Sequence, residues 1–165
     1  MEDDDLPLLE VGEWTREKHE RLCKYVDIAK SVRKQFTDRA GATYIDLFSG
    51  PGRCRVRKTG EVIDGSPVAA VKKSITGGTP FSAVYLSDAD ALFANAATKR
   101  VAALGLQPTT FVGAAEQAVQ QVASKLDKFA LHFAFLDPYN LDDLPFSILT
   151  PPPFASYPAN RCSGR

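Results

Sequence analysis

Cysteine is scarce in this chain. Its three residues, Cys23, Cys54 and Cys162, are odd in number and far apart, which excludes a disulfide framework and the paired spacing of a zinc site. A reduced, intracellular setting follows as the expectation. Net charge is missing as well, because twenty Lys and Arg balance twenty Asp and Glu. No global field then argues for nucleic acid or a membrane surface, and any such partner has to be read locally. No apolar run approaches the roughly 20 residues that cross a bilayer. The acidic start Met1-Glu2-Asp3-Asp4-Asp5 has the wrong charge for a secretory leader. A cytoplasmic protein with no membrane partner is expected. A Gly-Lys-Ser/Thr phosphate loop is also lacking, which disfavours a nucleotide hydrolase. His19 lies among helix charges and His132 inside a strand, without the neighbours of a metal ligand or general base, so both are assigned to structure and no metal is expected.

What is present is enough for one core: 165 residues, of which 44% are hydrophobic and 24% charged, is an ordinary globular composition. Residues 1–13 read as a loose acidic lead-in. From Trp14 to Phe36, Leu22, Val26, Ala29, Val32 and Phe36 recur at helical spacing, capped at Thr15 or earlier. The outer face of that helix is basic, with Arg16, Arg21, Lys24, Lys30, Arg33 and Lys34. Thr43-Tyr44-Ile45-Asp46-Leu47-Phe48 then reads as a first buried strand ending in a loop of small residues. Ser66 as cap and Pro67 at the first helical position begin a helix through about Ile75.

Further strands are predicted over 81–87, 108–112 and 131–136, the last buried on both faces, alternating with helices over 90–104 and 114–129. Such alternation predicts a parallel sheet with helical crossovers. The fold class expected is therefore α/β, Rossmann-like, with the domain at 14–150. After about Thr150 the run Pro151-Pro152-Pro153 and the residues behind it abandon this periodicity. Residues 151–165 are expected to be a disordered tail on an incomplete sheet, the alternative being a natural tail on a small complete domain.

The residues that suggest chemistry all fall where strands end. Gly50 and Gly52, in Phe48-Ser49-Gly50-Pro51-Gly52, follow the first strand, where a glycine lets the backbone approach a ligand. Alone, this pattern is equally an ordinary tight turn. Asp46 beside it can accept loop amides or a cationic ligand group. Asp88 and Asp90 follow the second strand, where a carboxylate can bind ribose hydroxyls, or can simply cap the next helix. Gly113 opens the loop after the third strand, and Asp137-Pro138-Tyr139 follows the fourth. All would lie on the carboxyl edge of the sheet, where open parallel sheets bind ligands. Asp137 and Tyr139 could orient or stack on a planar substrate, the alternative being a strand-ending turn. Arg53, Arg55, Arg57 and Lys58 form a basic alternating stretch behind the glycines. It reads as a solvated hairpin, or as a cradle for a phosphate backbone if it overhangs the cleft.

In order along the chain, Tyr44 to Arg53, Asp64-Gly65-Ser66-Pro67 and Phe135-Leu136-Asp137-Pro138-Tyr139, together with Trp14, Lys18, Leu22 and Tyr25, resemble the three-Cys-motif partner (TcmP) family. The resemblance covers about Trp14 to Leu149. It implies a class I methyltransferase-like fold, S-adenosylmethionine as cofactor, and a partner protein that itself carries the three-cysteine motif, in a bacterial or phage-associated setting. It also implies cofactor contacts at Asp46, Phe48, Ser49, Gly50, Pro51, Gly52, Asp88, Asp90 and Gly113. The segment Asp-Leu-Phe-x-Gly-x-Gly is similar to the cofactor motif of DNA cytosine methyltransferases. Asp137-Pro138-Tyr139 is similar to the catalytic loop of amino-methyltransferases, which implies nucleic acid as the acceptor. Three departures bear on catalysis more than on fold: Phe48 stands where such loops have their first glycine, Ala114 follows Gly113, and one proline rather than two follows Asp137.

Overall fold

The structure is a computed structural model and describes residues 4–138. Tyr139, Cys162 and the tail 151–165 lie outside the described residues. Twelve elements follow one another: β1 (Leu9–Val11), α1 (Trp14–Ile28), α2 (Lys30–Thr37), β2 (Ala42–Asp46), β3 (Arg53–Val56), β4 (Val62–Asp64), α3 (Ser66–Thr76), β5 (Ala83–Asp88), α4 (Ala91–Ala102), β6 (Thr109–Val112), α5 (Ala115–Ala123) and β7 (Leu131–Phe135).

Four of the strands make a parallel sheet in the order β6-β5-β2-β7. Counted along the chain these are the third, second, first and fourth strands, the order found in the first part of a doubly wound nucleotide-binding sheet. The chain is thus a mixed α/β protein whose sheet is compatible with a Rossmann-like fold. The direction of winding reverses between β2 and β7, so the loops that leave these two strands border the crevice at the switch point. β2 is buried along its whole length, as the central strand of a two-faced sheet must be. On one face Tyr44, Val84 and Leu86 meet Leu22 and Val26 of α1, Val68 and Val71 of α3 and Ala97 and Val101 of α4. On the other, Ile45 and Leu47 meet Ala118, Val119 and Val122 of α5. β7 was expected to be buried on both faces but is half-buried, with Ala134 exposed, because it forms the edge of the described sheet.

The predicted helix over 14–36 is two helices. Ala29 separates them, and Arg33 Nη1 donates to the carbonyl of Val26, which an unbroken helix would give to the amide of Lys30. Arg33 is therefore not on an outer basic face. It is 1% exposed, donates twice more to Thr79, through Nε to the carbonyl at 3.0 Å and through Nη2 to Oγ1 at 3.0 Å, and stacks on the Phe81 ring. The lead-in also departs from its expectation. Leu9–Val11 pairs in parallel with β3, and β3 pairs antiparallel with β4, giving a second, three-stranded sheet. Among the described residues no helix is long and apolar enough to cross a membrane.

Candidate cofactor crevice

The segment after β2 is held from three sides. From beneath, Asp46 Oδ2 accepts from Ser66 Oγ at 2.7 Å and Tyr44 Oη at 3.0 Å, and Oδ1 accepts from the amide of Phe48 at 3.2 Å. Sequence reasoning assigned Ser66 as a helix cap. The cap position belongs instead to Gly65, and the Ser66 hydroxyl is committed to Asp46. From the side, the Gly65 amide donates to the Gly52 carbonyl at 2.8 Å. A Cβ on Gly65 would stand 2.8 Å from the Gly52 carbonyl carbon, so only glycine allows this approach. Gly52 itself has φ of +82°, and a side chain there would press on Val68 and the Ala97 backbone. From the far side, the Gly50 amide donates to Asp88 Oδ2 at 2.8 Å and the Ser49 amide to the Ser87 carbonyl at 2.9 Å.

These bonds sort the expected cofactor residues. Asp46 is completely buried, so it shapes the loop from below and does not face a ligand. Burial pushes its carboxyl up to about 6, against the opposing pull of the Ser66, Tyr44 and Phe48 hydrogen bonds. Burial also raises the Tyr44 phenol beside it well above its ordinary value. Ser49, Gly50, Pro51 and Gly52 are buried as well, and Phe48 is the partly exposed member of the loop. Asp88 is half-buried at the carboxyl end of β5. Burial raises its carboxyl too, opposed by the amides of Asp90 and Gly50. Gly113 is brought to the same place by its amide, which donates to the Asp88 carbonyl at 3.0 Å. Asp90 has the helix-capping role: its side chain accepts from the Leu92 amide at 2.7 Å.

Asp137 reaches the same end of the sheet, two residues beyond Phe135, which is paired with Asp46. Its negative charge adds to the rise at Asp46. Its carboxylate forms an ion pair with Lys18 Nζ, and that ammonium also lies 4.0 Å from the centre of the Trp14 ring. Pro138 is placed next to it and half-buried. Lys18 had no assigned role in the sequence reading. The available signal was its spacing, since Trp14, Lys18 and Leu22 repeat every four residues and share one helix face.

Arg100 is the other residue that sequence reasoning missed. It falls on the buried stripe of α4 with Ala94, Ala97 and Val101, where a charge has to be satisfied. Its guanidinium grips the Asp4 carboxylate through Nε at 2.8 Å and Nη2 at 2.7 Å, and donates to the carbonyls of Pro51, Pro7 and Leu6. One side chain thus ties the glycine loop to the lead-in. Asp4 is held down to about 2, chiefly by that bond.

The basic hairpin is present as β3 and β4, and the lead-in takes up its charges. Asp4 pairs with Arg53 at 3.0 Å, Glu10 with Arg55 at 3.9 Å and Glu13 with Lys58 at 3.3 Å, while Arg57 donates to the Glu10 carbonyl at 3.2 Å. A separate cavity of about 410 Å³ lies between α1 and the β4–α3 junction, lined by His19, Cys23 and Asp64 among others. His19 Nδ1 is 3.0 Å from the Asp64 carbonyl, and burial lowers its basicity. Among the described residues no group of three or more His, Cys, Asp or Glu is placed to hold a metal ion. Comparison of the chain with protein-family models, with curated proteins and with solved structures gave no match.

Proposed function

We propose that this chain is the cofactor-binding part of an S-adenosylmethionine-dependent methyltransferase of the three-Cys-motif partner type, acting on nucleic acid. The observation that carries the reading is the Gly50 amide bonded to Asp88 at the switch-point edge of a sheet in the 3-2-1-4 order. The Gly50 amide takes Oδ2 and the Asp90 amide takes Oδ1 at 2.9 Å, and each oxygen keeps a second lone pair to accept a ribose hydroxyl. Val112, the strand partner of Asp88, and Leu92 are apolar and more than half exposed, which suits the face of a planar base. These groups support the cofactor reading. Asp88 would hold the ribose, the Ser49–Gly52 backbone would approach the sulfonium end, and Leu92 and Val112 would flank the adenine. When bound, the cofactor supplies an electrophilic methyl group. What the protein supplies is mainly orientation of the nucleophile for in-line attack, a role that falls to Asp137 with Pro138.

One observation favours a second reading, a catalytically degenerate methyltransferase-like module that serves a three-Cys-motif partner protein. The Lys18 ammonium already occupies the Asp137 carboxylate that would orient an acceptor amine. Phe48 and Ala114 point the same way.

Calorimetric titration with S-adenosylmethionine and S-adenosylhomocysteine tests cofactor binding. Asp88→Ala is the informative variant, since Asp46 is buried beneath the loop. Binding to the folded wild type that is lost in Asp88→Ala is the expected result, and no heat with a chain shown to be folded by circular dichroism would overturn the reading.

A further inference from the structure

β3 alternates. Cys54 and Val56 turn inward, which puts Arg53 and Arg55 on the opposite face with a repeat of roughly 6.6 Å, two residues of strand. Arg57 and Lys58 continue just beyond the strand end. A row of guanidinium groups, each able to grip two oxygens, suits a chain of phosphates. In this structure each of the four cations meets an acceptor from residues 4–13 instead: the Asp4, Glu10 and Glu13 carboxylates and the Glu10 carbonyl. Register enforces part of this match, because Glu10 is the direct strand partner of Arg55. Asp4 bridges Arg53 and Arg100 as a phosphate group would.

Arg100 anchors Asp4, Leu6 and Pro7, whereas residues 9–13 are lightly held. β1 has three residues and is the outer strand of its sheet, and the Glu10 and Glu13 pairs are half or more exposed on both sides. Such elements open at low free-energy cost. We propose that residues 9–13 are an intramolecular strap, anchored at Asp4 by Arg100, over a phosphate-binding face made by Arg55, Arg57 and Lys58, and that a single-stranded nucleic acid displaces it. The face begins at Arg55, close behind Gly52, so a bound strand runs past the cofactor loop, and Arg100 links the anchored end of the strap to that loop through Asp4 and Pro51. The inference rests on the proposed function only for the choice of nucleic acid. Its test contains no cofactor, so the two readings fail separately.

The test is fluorescence anisotropy of a labelled single-stranded 20-mer DNA with the full chain, in wild type, in Glu10→Gln/Glu13→Gln and in Asp4→Asn/Glu10→Gln/Glu13→Gln. Removing exposed competing carboxylates should tighten binding about tenfold at low salt. The salt dependence should have a slope of roughly −2 to −3, at about −0.7 per phosphate neutralised. Adding Arg55→Gln, Arg57→Gln and Lys58→Gln should abolish the gain. Because Asp4 is tied into Arg100, the triple variant can lose its fold. The double variant touches exposed pairs alone and carries the test by itself. Unchanged affinity in a folded double variant would overturn the strap, as would a gain that survives loss of the three cations. Displacement of the probe by polyglutamate at equal charge concentration would overturn nucleic acid as the partner.

Discussion

Asp46 should make the protein less stable as pH rises from 4 to 7. The carboxyl is completely buried and its pKa is pushed from 3.8 to about 6, so the folded state holds this proton more tightly than the unfolded chain does. For a group raised in this direction, the stabilising contribution is complete below the unfolded value near 4. It is lost as pH climbs through about 6. A shift of about two units corresponds to roughly 3 kcal/mol. Wild type alone does not isolate the effect: burial also raises Asp88, which adds the same slope, and lowers His19 and the half-buried His132, whose neutral forms favour the folded state with the opposite slope in an overlapping range. Asp4, held down to about 2, contributes its pH dependence below 3.8 and stays outside the window. Subtracting the unfolding free energy of Asp46→Asn cancels the Asp88 and histidine contributions. Urea unfolding at half-unit steps from pH 4 to 7.5, followed by far-ultraviolet circular dichroism, gives the difference. Trp14 fluorescence is a poor probe because that ring is 64% exposed. The wild type should lose about 1 to 3 kcal/mol relative to Asp46→Asn across this range. A difference flat to within about 0.5 kcal/mol, below any one-unit shift, would refute the burial argument.

Two substitutions separate the roles of neighbouring residues. Gly65→Ala places a methyl group 2.8 Å from the Gly52 carbonyl carbon, so α3 and the loop must part. About 1 to 3 kcal/mol of stability should be lost in urea unfolding, together with any S-adenosylmethionine binding seen by calorimetry. Asp90→Ala removes the oxygen that accepts from the Leu92 amide. It should cost about 1 kcal/mol as a lost helix cap and leave cofactor affinity unchanged, whereas a tenfold fall in affinity would return Asp90 to the binding site.

The sheet was legible because its signals are local. Buried parallel strands such as Ala42–Asp46 are short apolar runs, the helices between them carry their own periodicity, and alternation of the two leaves few topologies. The lead-in was misread for a physical reason. Leu9–Val11 has no strong strand signature of its own, and its pairing is made by β3, more than forty residues away. The helix break at Ala29 was equally hidden, because no glycine or proline marks it. It is stabilised by a guanidinium that also needs Thr79 and Phe81, more than forty residues along the chain.

The motifs were expected on one edge of the sheet, and the bonds between them give the site its content. Asp46 accepts from Ser66, and Gly65 abuts Gly52, so Asp-Gly-Ser-Pro, expected only as a helix start, also buttresses the glycine loop. Asp88 closes the loop from the opposite side. An acid after the first strand and an acid after the second thus have different tasks although both end strands of one sheet. The first is sealed below the backbone and sets its shape. The second stays half-open and is the one available to a ligand. Motif spacing alone cannot separate them, because what differs is the partners each side chain finds: a hydroxyl from a helix start for Asp46, two loop amides and solvent for Asp88.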